Sequence, residues 1–172
     1  GPVSAPPATW FADCARYWPN ARLVYVTAGG QIDRGEVLDT EVVVTGLAFK
    51  SSRVRVVQRR GAGVIPCDRL AREIGAELSG DPQLRHVLLV ADGLRVNGAA
   101  LTRAMVESLP EGVSVSGGLA SDGLQFVASG VGVDAPPVEG MIVAVALSGP
   151  ALVIGTGSIG GWEPFRPERL VT

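Results

Sequence analysis

Apolar residues recur every three or four positions in three stretches of the chain, which is the spacing that places side chains on one face of an α-helix. The pattern therefore predicts helices over residues 9–18, 66–79 and 97–110. Asn97 is expected to cap the third helix, because its side chain can accept a hydrogen bond from the first turn. The apolar stripes of the three helices are Trp10, Cys14 and Tyr17; Leu70, Ile74 and Leu78; and Leu101, Met105 and Leu109.

Runs rich in valine and other apolar residues predict strands in the rest of the chain. We expect residues 41–49 and 52–60 to form a hairpin, and residues 141–149 and 151–157 to pair antiparallel. Residues 31–40 are polar and predict a loop. The full set of predicted strands is 21–30, 41–49, 52–60, 85–93, 112–118, 124–133, 141–149 and 151–157. The first of them ends in a glycine turn.

The order of these elements is helix, strands, helix, strand, helix, strands. This order is neither a strict βαβ alternation nor all-β, so it predicts a mixed α/β (α+β) fold with a mixed, largely antiparallel sheet and flanking helices. The continuous apolar run at 85–93 indicates a central strand that is buried on both faces.

The two ends of the chain and one long uncharged segment affect the domain assignment. Gly1-Pro2 is typical of the remnant that a processing protease leaves, and residues 3–7 are expected to form a loose leader. Residues 8–172 then form a single domain. No charged residue occurs from 140 to 162, which is long enough to span a bilayer, but Ser148-Gly149-Pro150 predicts a turn that divides the segment into two strands.

Composition excludes several classes of function. The net charge is −2 and the pI is near 5.4, which argues against nucleic-acid binding and against docking on anionic lipid. Two cysteines, Cys14 and Cys67, and one histidine are too few for the usual zinc sites, and they do not form a disulfide framework. We therefore expect a protein of the reducing cytosol, without a metal cluster.

The most unusual local sequence is SVSGGLASDGLQF at residues 114–126. Gly117, Gly118 and Gly123 precede a strand that is predicted to start at Leu124. A phosphate-binding loop needs Lys-Ser/Thr after its last glycine, and a dinucleotide fingerprint needs a following helix, so neither applies. Two interpretations remain, a loop whose open backbone accepts a ligand and a hairpin turn at Asp122-Gly123; the residues alone favour the turn.

No catalytic set is evident. His86 is the only imidazole, and Ser121 lacks the surroundings of a hydrolase nucleophile, so His86 is expected to be structural. His86 is chemically able to ligate a haem iron, although no CxxCH motif accompanies it. Asp92 and Asp122 lie next to glycines at strand ends, where turn formation is the favoured role over an acid/base pair.

Several segments together resemble the N-terminal FIST sensory domain, FIST N, over roughly residues 20–172. The most specific are the glycine-rich loop quoted above and the tail GSIGGWEPFRPERLVT. Supporting similarity is found in VTAGGQIDRGEVLDTEVVVTGLAF, in VLLVADGLRVNGAALTRAM, and in the apolar pair MIVAVALSG and ALVIGTG. One departure is the first turn, Thr27-Ala28-Gly29-Gly30-Gln31, which lacks the acidic residue that the family usually has there.

The resemblance implies a bacterial, cytosolic signal-input domain rather than an enzyme. It implies a small-molecule ligand, with amino acids or related metabolites as the class. The partners implied are a C-terminal FIST half, which we expect this chain to lack, and an output protein of the kinase or chemotaxis type. Two alternatives stay open: a haem-based nitric-oxide sensor with His86 as axial ligand, and a ligand-free protein-interaction scaffold of the kind that F-box relatives suggest.

With the resemblance, the ligand-binding interpretation of the glycine-rich loop gains weight. We expect two bends to meet at one end of the sheet, with an aromatic wall beside them. The expected ligand-binding residues are Thr27, Ala28, Gly29, Gly30, Gly117, Gly118, Asp122, Gly123 and Trp162.

Overall fold

The computed structural model describes residues 8–38 and 42–157, with the side chains of residues 8–11 and 33 outside that description. Its three helices confirm the three predicted from sequence. They are α1 (Ala8–Tyr17), α2 (Cys67–Leu78) and α3 (Gly98–Ser108). The side chain of Asn97 accepts a hydrogen bond from the backbone N–H of Ala100 at 3.0 Å, so Asn97 caps α3 as predicted.

The strands of the described residues form one four-stranded sheet and two small two-stranded sheets. They are β1 (Val24–Val26), β2 (Gln31–Asp33), β3 (Glu36–Leu38), β4 (Arg53–Arg60), β5 (Leu84–Asp92), β6 (Ser114–Ala120), β7 (Val131–Val133) and β8 (Met141–Ser148).

The main sheet has the strand order β4-β8-β5-β6. β8 is antiparallel to both β4 and β5, whereas β5 and β6 are parallel and are connected through α3. The sequence of β8, MIVAVALS, has no charged residue, as expected of a strand with neighbours on both sides and packing on both faces. The fold is therefore the predicted mixed α+β class, with mostly antiparallel strands.

One face of the main sheet carries the larger core. Helices α2 and α3 pack on this face and bury their apolar stripes against alternate residues of β5 and β8. Ile74 of α2 and Met105 of α3 are fully buried, as are Val87 of β5 and Ala144 of β8. The helical spacing of 3.6 and the strand spacing of 2 thus direct their apolar positions into the same layer.

The opposite face of the main sheet carries a second core. Here β1 and β7 pair with each other and lie near the end of the sheet where β8 begins. Val131 and Val133 of β7 pack with Met141 and Val143 of β8, and with Ala120 at the end of β6. This second core sets the positions of the loops that join β1, β6 and β7.

The polar sequence of residues 31–40 predicted a loop, but most of this segment forms two short strands. β2 and β3 form a hairpin in which Asp33 pairs with Glu36. Arg34 and Gly35 make the two-residue turn with φ of 50° and 88°, which is the left-handed conformation of tight hairpin turns. Each strand has only three residues, too few for an alternating pattern to be recognised.

Two predicted strands are wrong. Residues 42–49 and 152–157 lie within the described part of the chain and are not strands. The predicted partner of β4 was 41–49, but β4 pairs along its whole length with β8, from Arg53 opposite Ser148 to Arg60 opposite Met141. Because β5 occupies the other edge of β8, the predicted pairing of β8 with 151–157 is also excluded.

Within the described residues, no helix has both the length and the apolar character needed to cross a membrane. The uncharged run that begins at Gly140 forms β8, a strand of the main sheet. The tail that contains Trp162 lies outside the described residues, as do residues 1–7.

Candidate functional site

The first bend follows β1 and is tied to two other segments through Thr27. The carbonyl oxygen of Thr27 accepts a hydrogen bond from the N–H of Ser121 at 2.9 Å, and the N–H of Thr27 donates to the carbonyl oxygen of Gly130 at 3.1 Å. The N–H of Gly130 in turn donates to Thr27 Oγ1 at 3.0 Å. Thr27 therefore connects the end of β1 to the bend after β6 and to the start of β7.

The two bends meet at Gly29 and Gly123. A Cβ atom built on Gly29 would lie 2.7 Å from Gly123 Cα and 2.9 Å from Gly123 N, distances shorter than real Cβ contacts allow. The two backbones are thus in direct contact, and glycine at position 29 is required for that contact. A small molecule at this end of the sheet must lie beside the contact, where Ala28 and Gly30 flank it, and not between the two glycines.

Gly117 and Gly118 do not belong to the second bend. Both lie inside β6, where they pair with Leu89 and Val90 of β5. A Cβ atom on Gly117 would lie 1.8 Å from the carbonyl oxygen of Leu89, whereas a Cβ atom on Gly118 would have open space around it. The strand continues through both glycines because the neighbouring β5 supplies hydrogen bonds that local sequence does not reveal.

Asp122 organises the loop that comes after β6. Its carboxylate accepts hydrogen bonds from the N–H groups of Phe126, Val127 and Ala128, at 3.0, 2.6 and 2.8 Å. The hydrogen bond from Ala128, followed by those from Val127 and Phe126, lowers the pKa of Asp122 below its usual value of 3.8. The predicted strand 124–133 is confirmed only at its end, in β7; from Leu124 to Gly130 the chain curls around this carboxylate instead.

Asp92 at the end of β5 is completely buried and fully hydrogen-bonded. One carboxylate oxygen accepts from Ser129 Oγ at 2.5 Å and from the N–H of Leu94 at 2.9 Å. The other accepts from the N–H of Gly140 at 2.6 Å, and the guanidinium of Arg95 lies 3.8 Å away. Like Asp122, Asp92 forms a turn, and the favoured prediction for both aspartates is confirmed.

Gln31 has a polar side chain beside the first bend. It was not among the ligand-binding residues predicted from the sequence. It begins β2, two residues beyond Gly29, and its side-chain oxygen Oε1 is buried. In the part of the chain that the structure describes, this oxygen has no hydrogen-bond partner. Buried acceptors without a partner are rare, because the lost hydration costs about 1–3 kcal/mol.

His86 lies in β5 on the face away from α2 and α3. Its Nδ1 is 2.8 Å from Ser114 Oγ and its Nε2 is 3.0 Å from Ser116 Oγ, and burial lowers the pKa of the ring below its usual value of 6.5. Because both ring nitrogens are hydrogen-bonded, His86 has none free for an iron atom, and its surroundings do not fit a haem axial ligand. Among the described residues, no three His, Cys, Asp or Glu side chains gather as metal ligands.

Ser114 and Ser116 were not predicted from the sequence as partners of His86. Their spacing of two residues does place both on one face of a strand. What the sequence lacked was the order of the strands, which sets β6 beside β5. Trp162, the predicted aromatic wall, lies outside the described residues.

Comparison with known families identifies the chain. The family model described as FIST N domain matches residues 3–172. The match confirms the resemblance inferred from the sequence. No curated protein and no solved structure gave a significant match.

Proposed function

Because the chain belongs to the FIST N domain family, we propose that it is a sensory domain that binds a small ligand with hydrogen-bond donors, an amino acid or a related metabolite. The family is one of sensory, ligand-binding domains and not of enzymes. The contact of Gly29 with Gly123 is the proposed centre of the site, with Thr27, Ala28 and Gly30 on the side of the first bend.

The observation that carries this proposal is the unpaired acceptor of Gln31. A ligand ammonium or amide N–H donating to Oε1 would satisfy the buried oxygen, and it would gain a hydrogen bond without displacing one already formed in the protein. An amide oxygen binds an ammonium more weakly than a carboxylate does, since it lacks the negative charge. We therefore expect modest affinity.

The exposed backbone of the first bend supports the same site. Gly29 is solvent-exposed and has no side chain, so a ligand can approach its peptide groups closely. Asp122 does not serve as the ligand's charge partner, because its oxygens already accept three backbone N–H groups. Its role at the site is to hold the loop next to Gly123.

Thermal unfolding in the presence of the standard amino acids, one at a time, tests the proposal. A ligand that binds the folded state raises Tm as its concentration increases. Gln31→Leu is expected to abolish that rise without lowering the Tm of the free protein, since it removes an unpaired acceptor. Gln58→Leu, at an exposed glutamine on β4, is the matched control and should keep the rise. A rise that persists in Gln31→Leu would contradict the proposed site.

We further propose that the domain acts in the cytosol and passes its signal to a C-terminal FIST half and to a kinase-type or chemotaxis-type output protein. Residues 42–49 support an interaction role. Their side chains include Val44 and Leu47, which are 54% and 71% exposed. Exposed apolar segments of this kind commonly mark contact surfaces.

The scaffold alternative is favoured by the same exposed segment. Co-expression with a FIST C-terminal half is expected to slow amide exchange across residues 42–49. Ligand binding is measured separately, as slower amide exchange at Gly29 and Gln31. Protection of 42–49 without any ligand-dependent protection of the bend would favour a scaffold. Unchanged exchange at 42–49 would exclude this segment as the contact surface.

A further inference from the structure

A side-chain cluster outside the proposed ligand site brings together three residues on one face of two neighbouring strands. His86 of β5 is directly opposite Ser114 of β6 in the parallel register, and Ser116 lies two residues further along β6. The imidazole lies between the two hydroxyl groups, with Nδ1 2.8 Å from Ser114 Oγ and Nε2 3.0 Å from Ser116 Oγ. Both distances fall within the range of good hydrogen bonds.

The hydrogen bonds of Ser114 fit the tautomer of His86 in which Nδ1 carries the proton. Ser114 Oγ donates its single hydrogen to the carbonyl oxygen of Arg85, at 3.3 Å. In this arrangement Ser114 Oγ accepts from His86, and Nδ1 carries the hydrogen. Nε2 is then the unprotonated nitrogen, and it accepts the hydroxyl hydrogen of Ser116.

The two ends of this chain of hydrogen bonds differ in exposure. His86 is only 7% exposed, whereas Ser116 is exposed to solvent. The next two residues, Gly117 and Gly118, are also exposed and have no side chains to cover Ser116. A reagent can therefore reach Ser116 Oγ, while the base behind it is shielded from water.

We propose that Ser116 is an activated serine that accepts an acyl group from activated esters. A hydroxyl, a base within hydrogen-bonding distance and a third group that orients the base are the parts that serine nucleophiles require. Ser116 Oγ forms a bond to the ester carbonyl carbon as the bond from that carbon to the leaving oxygen breaks. The hydroxyl proton moves to His86 Nε2 and from there to the departing alcohol.

The third group, Ser114, makes turnover of the acylated serine slow. Ser114 is neutral, so it stabilises the imidazolium that forms during the reaction less than a carboxylate does. In a serine protease triad, replacing the carboxylate by an amide lowers kcat by about 10⁴-fold. We therefore expect one acylation per chain and slow release, not efficient turnover. This reactivity is independent of the ligand site at Gly29 and Gln31, which contains none of these three residues.

Incubation of the folded chain with 4-nitrophenyl acetate and subsequent peptide mass spectrometry test the proposal. We expect one acetyl group per chain, located on Ser116, and none in Ser116→Ala. His86→Gln should slow acetylation by about 10²-fold or more, because general-base assistance is lost. Ser51→Ala is the control. Ser51 is exposed and takes no part in the hydrogen bonds of His86, so this change should leave acetylation of Ser116 unchanged.

A second variant keeps the test decisive if His86→Gln does not fold. In Ser116→Cys, an exposed position is changed conservatively, and the new thiol should react with iodoacetamide about tenfold faster at neutral pH than the thiol introduced by Ser51→Cys. Absence of an acetyl group on Ser116 would overturn the proposal. Equal rates of acetylation in folded His86→Gln, or equal thiol reactivity in the two cysteine variants, would overturn it as well.

Discussion

At the residue scale, adjacent glycines on β6 have different neighbours. Position 117 has φ of +153° and faces the carbonyl oxygen of Leu89, which would lie 1.8 Å from an added Cβ, while position 118 has open space. We predict that Gly117→Ala lowers the free energy of unfolding by about 1–3 kcal/mol through overpacking. Gly118→Ala should change it by no more than about 0.5 kcal/mol. Urea denaturation measures both, and equal effects would contradict the register of β5 with β6.

The carboxylate of Asp122 gives a pH-dependent prediction. Its pKa is lower in the folded chain than the usual 3.8, so its stabilising effect is complete above about pH 4 and is lost as the pH falls through the lower folded value. Amide exchange at residues 126–128 should therefore accelerate in acid relative to the rest of the fold. Asp122→Asn should show faster exchange there already at neutral pH.

Asp134 provides the control for that experiment. Its carboxylate accepts a hydrogen bond from the N–H of Leu23 at 2.9 Å and pairs with Arg22 at 2.7 Å, so it holds a different segment. Asp134→Asn should accelerate exchange at Leu23 and leave residues 126–128 unchanged. Slow exchange at 126–128 in Asp122→Asn would show that the three backbone hydrogen bonds do not depend on the charge.

Residue roles that depend on nearby sequence were predictable, and those that depend on strand order were not. Asn97 was identified as a helix cap because its hydrogen-bond donor, the N–H of Ala100, lies three residues along the chain. For Gly29 and Gly123, the sequence predicted that two bends meet at one end of the sheet. It did not predict that the two backbones touch. The hydrogen bonds of His86 to two serines of β6 need β6 beside β5, which no local pattern indicates.

At the element scale, the close packing of α2 against α3 depends on Gly75. A Cβ atom at this position would lie 2.4 Å from Ser108 Cβ. We predict that Gly75→Ala is destabilising by about 1–2 kcal/mol, because overpacking outweighs the better helix propensity of alanine. Combination with Ser108→Gly, which removes the opposing Cβ, should cost less than the sum of the two single changes. A double-mutant cycle in urea measures this coupling, and additive effects would contradict the close approach.

The elements themselves show why helices were predicted more reliably than strand pairs. The stripes of α2 and α3 are local patterns, and their buried residues Leu70, Ile74 and Met105 are those that the spacing selected. Residues 42–49 have the composition of a strand, but β4, their predicted partner, pairs with β8 instead, and 42–49 do not add to the sheet beside it. Strand composition shows that a segment is suited to pairing, whereas the available partners decide whether it pairs.

At the scale of the whole molecule, Asp92 connects strands that border both cores. The helix-covered core and the core under β1 and β7 lie on opposite faces of the main sheet, and Asp92 is located at the end of β5 between them. Through Ser129 and Gly140, its carboxylate connects β5 to the segment before β7 and to the residue before β8. The ends of these strands also position Thr27 and Gly123, so the proposed ligand site depends on this junction.

Replacement of Asp92 should therefore destabilise the entire fold and not one loop. Asp92→Ala leaves the N–H of Gly140 and the hydroxyl of Ser129 without their acceptor in a buried site, and each unpaired group costs about 1–3 kcal/mol. The N–H of Leu94 also loses its bond to the carboxylate and keeps only Ser129 Oγ, at 3.3 Å. We predict a loss of about 3 kcal/mol or more in the free energy of unfolding, measured by urea denaturation. Ser129→Ala removes only one donor, so it should cost about 1–2 kcal/mol and keep the transition two-state. If Asp92→Ala cost no more than Ser129→Ala, the carboxylate would not be the group that ties β5 to the segments before β7 and β8.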